Sequence, residues 1–170
     1  MRSAVADAIT FTHTGAPAAA VRDFSHRFRA GSLTLLCGAS GSGKSTLLRL
    51  LNGLVPHMEA GDLSGSVEVD GVNLSHVPLW RAGTMSGTVF QNPRTQFFTS
   101  DVTSELAFGS ENAGLPRPEI ARRIEASARL AGIEDLLDHP LSNLSGGQLQ
   151  RVACGAAMAT ETGFYLFDEP

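Results

Sequence analysis

Leu33-Thr34-Leu35-Leu36-Cys37-Gly38-Ala39-Ser40-Gly41-Ser42-Gly43-Lys44-Ser45-Thr46-Leu47-Leu48-Arg49-Leu50-Leu51 is the stretch that decides the fold. Its first five residues form a short apolar run suited to a buried strand. Gly38 to Ser45 then fits G-x-x-x-x-G-K-[ST] at every required position. Thr46 to Leu51 continues as a helix, and Asn52-Gly53 closes it. Strand, glycine loop and helix are the context in which successive backbone N–H groups can turn inward on phosphate oxygens, with the positive helix start behind them. Lys44 is the only lysine in the chain, beside twelve arginines. A compact ammonium fits a wrapped loop that a planar guanidinium would not. The stretch therefore points to a nucleoside triphosphate site, with Lys44 bridging the β- and γ-phosphates and the Ser45 hydroxyl on Mg²⁺.

The rest of the 170 residues bounds that reading. The length suffices for one domain with a real core. A net charge of −4 makes nucleic acid an unexpected partner. Cys37 and Cys154 have no C-x-x-C spacing and read as small buried residues in a reducing compartment. No run approaches the ~20 apolar residues that span a bilayer. With no signal-like start, a soluble cytoplasmic protein is expected, one that can still dock on a membrane protein.

Strands are expected at Ala8 to Thr12, Val21 to Arg29, Gly65 to Val69 before the Asp70-Gly71 turn, and Thr84 to Phe90. Helices are expected at Val102 to Phe108 and at Pro118 to Ala131. In the second, Ile120, Ile124 and Ala128 share a face and Gly132 can cap the end. Phe164 to Phe167 reads as a buried strand that delivers Asp168 and Glu169 to its C-terminal end, before Pro170. Asp168 can hold Mg²⁺ directly or through water, and Glu169 can orient or activate the attacking water. Leu144-Ser145-Gly146-Gly147-Gln148 places a serine N-cap before two glycines, opening a helix to about Met158. It is a second anion-receptive helix start. Two such starts can meet on one ligand within a monomer or across a dimer.

Taken together these motifs resemble the ATP-binding subunit of an ABC transporter. Gly38 to Thr46 (with Ser40, Gly41, Ser42, Gly43, Lys44 and Ser45 inside it) matches the Walker A motif, and Gln91 matches the Q-loop glutamine. Leu144 to Gln148 matches the signature motif, and Phe164 to Glu169 matches Walker B with its catalytic glutamate. The resemblance implies an α/β fold with a P-loop NTPase (RecA-like) core. The β subdomain and core would span about 1–91, a helical subdomain about 92–158, and the Walker B strand 164–170. It also implies ATP and Mg²⁺ as ligands, with Ser45, Gln91 and Asp168 at the metal. A head-to-tail homo- or heterodimer would set Ser145, Gly146, Gly147 and Gln148 over the partner's ATP.

Asn52 to His57, Gln91 to Phe97 and Glu105 to Gly109 are more closely similar to the ATPases of energy-coupling factor importers and of cobalt and nickel uptake systems. That implies a peripheral protein on the cytoplasmic face of the membrane, driving uptake of a vitamin or a transition-metal ion through a membrane-embedded coupling subunit. Phe97 and Phe98 would be anchors for that subunit or ordinary core. The family's adenine-stacking aromatic falls by position on His13, which is that stacking residue or a solvated loop histidine. His57 and His139 get no role. The family continues past Walker B to a switch histidine, and none of the histidines here matches it. The expectation is a fragment of a longer chain, with little or no hydrolysis by these residues alone. The competing readings are a soluble ABC protein acting on ribosomes or DNA, and a non-catalytic nucleotide-binding module.

Overall fold

The computed structural model describes residues 3–169. Pro170, expected as the terminator after Glu169, lies outside the described residues. The chain divides into two compact units, Met1–Ser86 and Gly87–Pro170.

The first unit is built on an antiparallel sheet in the order β2-β1-β3-β4. Its strands are β1 (Ala4–His13), β2 (Val21–Phe28), β3 (Gly61–Val69) and β4 (Val72–Asn73). Ala4 and Ala6, then Ile9 and Phe11, are buried at alternate positions along β1, on either side of a register irregularity between Ala6 and Ile9. The β1–β3 register runs from Ala4 opposite Val69 to His13 opposite Gly61, which sets His13 at the far end of the sheet. Asp70 and Gly71 both have positive φ (51° and 76°), the backbone of the tight turn that joins β3 to β4. Helix α1 (Lys44–Leu51) buries Leu47, Leu50 and Leu51, at the i, i+3, i+4 spacing of one helical face. Two single-turn helices follow, α2 (Leu54–His57) and α3 (Leu79–Ala82).

The second unit pairs β5 (Gly87–Val89) with β6 (Tyr165–Phe167) in parallel and adds three helices. These are α4 (Val102–Asn112), α5 (Arg117–Ala131) and α6 (Gly146–Ala159). Val102 and Leu106 of α4, Ala128 of α5, and Leu149 and Val152 of α6 share one core with Ile133, Leu136, Leu141 and Leu144. Ala153 and Ala157 on the next face of α6 pack on Val89 of β5. Small residues there let a helix lie close to a strand. Gly132, at φ 62°, ends α5 as expected, because only glycine enters the left-handed cap without strain.

Several expectations are corrected, among them the buried strand at Phe164 to Phe167, which is Tyr165–Phe167 with only Leu166 buried. Leu33 to Cys37 is not a strand. Its backbone pairs with no neighbour, and a strand exists only as a member of a ladder. Leu33 is 96% exposed and Leu35 83%, so Cys37, expected buried, is exposed too. The strand expected at Thr84 to Phe90 shrinks to Gly87–Val89, because three residues are all that β6 pairs with. Cys154 is half-buried, and that burial pushes its thiol pKa up.

Candidate functional site

In the first unit, the loop opens α1 with Gly43 in the left-handed region, at φ 90°. A side chain there would put its Cβ 2.1 Å from the Ala20 carbonyl oxygen, so only glycine lets the chain turn into the helix beside β2. Gly41 shares the positive φ, at 75°. The Lys44 ammonium donates to the carbonyl oxygens of Gly38 and Ala39 at 3.0 and 2.9 Å, so the loop curls around its own cation. The first-turn N–H groups of α1 have no acceptor within the helix. Ser45 and Thr46 add hydroxyls to the same turn. An ammonium, a helix N-terminus and two hydroxyls form a donor set that fits a polyphosphate with its magnesium ion. An open cleft of about 310 Å³ beside the loop is lined by Val21, Phe24, Cys37, Gly43 and Lys44, among others. A larger one, about 450 Å³, follows Arg27 and Arg29 and touches none of the motif residues.

His13 reaches the same helix. Its Nε2 lies 3.4 Å from Thr46 Oγ1, and its Nδ1 lies 3.7 Å from Glu59 Oε2. Glu59 also pairs with Arg49, and the Phe11 ring meets the imidazole edge-on at 4.8 Å. The imidazole is thus fixed beside the loop helix rather than loose in solvent. His57 and His139 are exposed, and His57 Nε2 lies 3.1 Å from the Leu74 carbonyl oxygen.

In the second unit, the parallel pairing puts Thr88 opposite Leu166 and Val89 opposite Phe167. The Asp168 N–H extends the ladder by donating to the Val89 carbonyl at 2.9 Å. Two residues past each strand end, Gln91 Nε2 donates to Glu169 Oε2 at 2.6 Å. The sheet thereby joins two residues that stand 78 positions apart in sequence. Glu169 is held at φ 51°, and its carbonyl accepts from Gln150 Nε2 of α6 at 3.4 Å. For a non-glycine residue that backbone costs energy and marks a site that the surroundings determine.

Ser145 caps α6 with a full capping box. Its Oγ accepts from Gln148 N at 3.4 Å, and Gln148 Oε1 accepts the Ser145 N–H at 2.8 Å. The Gln148 side chain gives its oxygen to the cap and keeps its amide N–H groups to donate, and the serine hydroxyl accepts within the chain and keeps its hydrogen to donate. Gly146 and Gly147 are exposed, and a Cβ on either would meet nothing within 4 Å. Unlike Gly43, neither is glycine for the sake of packing inside this chain.

Two residues here escaped the reading of the sequence except as part of a resemblance. Gln96 Oε1 accepts from Phe90 N at 3.0 Å and its Nε2 donates to the Thr88 carbonyl at 2.9 Å, so its amide acts as a one-residue strand on the free edge of β5. Glu105 is buried in α4. Their roles depend on tertiary neighbours, and no local pattern announces them.

A glycine loop opening a helix, with a glutamine and a glutamate meeting at parallel strand ends, defines a P-loop nucleotide-binding protein. The chain belongs to the ABC transporter family, whose profile matches residues 21–170. It is 42% identical over 164 residues to the energy-coupling factor transporter ATP-binding protein EcfA1 of Lactobacillus delbrueckii subsp. bulgaricus, covering 96% of this chain and 57% of that protein. A relative from Treponema denticola is 40% identical over 162 residues, with coverage of 95% and 33%. The structure of CbiO1 from Clostridium perfringens, described as part of the ABC transporter complex CbiONQ, superposes with a TM-score of 0.83 at 28% identity. That match covers 98% of this chain and 65% of CbiO1. A bacterial Atm1-family ABC exporter with ATP bound gives a TM-score of 0.77 at 27% identity, covering 98% and 29%. The chain thus spans between about a third and somewhat over half of these curated relatives. Among the described residues, no helix is long and apolar enough to cross a membrane.

Proposed function

We propose that the chain is the nucleotide-binding part of an ATPase that drives import of a vitamin or transition-metal ion through a membrane-embedded coupling subunit. The observation that carries this reading is the Gln91–Glu169 hydrogen bond at matched strand ends, in a chain that also holds a complete phosphate loop. The relative named for an energy-coupling factor transporter and the structural likeness to CbiO1 support the importer class. Lys44 and the loop N–H groups would take the phosphates, and Ser45, Gln91 and Asp168 would hold the metal. Mg²⁺, when bound, draws charge from the phosphate oxygens. Glu169 accepts the proton of a water whose oxygen attacks the γ-phosphorus as the bond to ADP breaks. Vesicles holding the full-length protein with its membrane partner should accumulate the cargo only when ATP is supplied on the ATPase side. Hydrolysis that needs no membrane partner, in a protein found on ribosomes, would replace this reading with the soluble one.

The signature residues act across a head-to-tail dimer, the Ser145 hydroxyl and the Gly147 N–H of one subunit covering the γ-phosphate held by the other. The open space at Gly146 and Gly147 supports this, since a glycine within a helix costs up to about 1 kcal/mol relative to alanine and nothing inside the chain requires it. Gly147→Ala should therefore leave thermal stability equal or slightly raised while abolishing dimer formation on MgATP. A size-exclusion run of the full-length variant with MgATP reads this directly, and a normal dimer peak would exclude the glycine from the interface.

His13 stacks on adenine. Tyrosine offers a larger face worth about 0.5–1.5 kcal/mol, so His13→Tyr should tighten ATP binding about 2- to 10-fold by titration calorimetry. An unchanged affinity would remove His13 from the adenine site.

A further inference from the structure

Thr46 and Arg49 lie three residues apart on one face of α1, and both meet partners outside the helix. Thr46 Oγ1 lies 3.4 Å from His13 Nε2 at the end of β1. Arg49 pairs with Glu59 Oε1 in the segment that leads into β3. The second oxygen of the same carboxylate, Oε2, lies 3.7 Å from His13 Nδ1. Four side chains thus close a circuit: His13 to Thr46, along α1 to Arg49, across to Glu59 and back to His13. Both nitrogens of the imidazole are engaged, and the buried Phe11 ring backs it at 4.8 Å. His13 nevertheless keeps 38% of its side chain exposed.

Ion pairs near the surface add little to stability, so the circuit is worth little to the fold. Its effect falls on the imidazole. A carboxylate only accepts, so Glu59 keeps the hydrogen of the neutral ring on Nδ1 and leaves Nε2 to accept from the Thr46 hydroxyl. The ring then has one tautomer and one plane. We infer that Glu59 is a positioning residue for the nucleotide base: with Arg49 it fixes the imidazole of His13 against α1, the helix that opens at the phosphate loop. This rests on the adenine reading of His13 above, and it adds two residues that act only through His13. Base and phosphates are then held from a single helix. An imidazole offers less face than a larger aromatic, so it gains the more from being set beforehand.

The test uses the full-length protein and compares His13→Ala, Glu59→Ala, Glu59→Gln and Arg49→Met. The measurements are the affinities for MgATP and for magnesium tripolyphosphate, by titration calorimetry, and the NMR shifts of the imidazole nitrogens in protein labelled at histidine. The signal lost in His13→Ala assigns His13. Glu59→Ala should lower MgATP affinity about fivefold and leave tripolyphosphate affinity within about twofold. Combined with His13→Ala it should cost nothing further, since both act at one contact. Its nitrogen shifts should move from the Nδ1–H form toward the Nε2–H form that a free imidazole prefers, a change that a merely structural role would not produce. Glu59→Gln keeps an acceptor oxygen and should recover MgATP affinity to within about twofold. Should Glu59→Ala not accumulate, Arg49→Met opens the circuit from its other side and should lower MgATP affinity about two- to threefold, with tripolyphosphate affinity unchanged. If Glu59→Ala weakens MgATP and tripolyphosphate alike, the residue acts on the loop and the positioning role is overturned. If His13→Ala weakens MgATP but the Glu59 and Arg49 variants do not, the positioning role is overturned and the adenine reading stands. If His13→Ala leaves MgATP binding as it was, the adenine reading fails, and the inference fails with it.

Discussion

Replacing Lys44 with alanine should lower ATP affinity by a factor of about 100 to 10,000. A hydrogen bond to a charged group is worth about 1.5–3 kcal/mol, and the ammonium would lose two such contacts on the β- and γ-phosphates. The fold should survive. Lys44 sits at the mouth of its helix, and its two bonds in this structure go to carbonyls of its own loop. Losing them loosens residues 38–39 without opening a core, because Leu47, Leu50 and Leu51 carry the burial of α1. Lys44→Arg separates charge from shape. Arginine keeps the charge, but its planar fork must pass the loop that curls within 3.0 Å of the Lys44 nitrogen, so it too should bind poorly. Titration calorimetry of full-length protein, with a melting curve beside it, reads both. Retained affinity in the alanine variant would move the nucleotide away from this loop. Rescue by arginine would mean that charge alone suffices.

The parts of this site that could be read in the sequence are those in which local backbone chemistry dictates residue type. The loop needs glycine at Gly43 because a Cβ would strike Ala20, and it needs positive φ at Gly41. Ser145 before two glycines spells out a helix start, and Gly132 spells out a helix end. Each is a constraint within one or two turns of chain, so spacing reveals it. Leu33 to Cys37 failed for the opposite reason. Apolar composition says that a segment can be a strand, whereas pairing decides whether it is one, and no ladder forms there.

The same limit hid the chemistry of the second unit. Gln91 and Glu169 were each recognisable by motif, yet their contact follows from the parallel pairing of Val89 with Phe167, which nothing near either residue encodes. Gln96 and Glu105 look like ordinary polar residues in a loop and a helix. Only the fold shows one amide closing the edge of β5 and one carboxylate gathering the Phe98–Thr99 turn. Even burial pattern is ambiguous at this range. Phe97 and Phe98 are adjacent and identical, and one enters the core while the other faces solvent.

Glu169→Gln should cut ATP turnover about 100- to 10,000-fold, the range that a positioned general base supplies. Glutamine matches the size of glutamate and keeps an oxygen that can accept the Gln91 N–H, which now lies 2.6 Å from Glu169 Oε2. The substitution thus removes proton acceptance and leaves the geometry. ATP still binds at the loop, and the dimer that closes over it cannot reopen by hydrolysis, so full-length protein with MgATP should accumulate as a stable dimer. Glu169→Ala should also lose turnover, but with a weaker dimer, since Gln91 would be left without its acceptor. Steady-state phosphate release together with size-exclusion in MgATP separates these outcomes. If Glu169→Gln turns over within threefold of the parent protein, the base is another group, and the Gln91–Glu169 contact serves only to close the ends of β5 and β6. If turnover is lost but no dimer accumulates, Glu169 is the base and the signature residues do not meet the nucleotide of a second subunit.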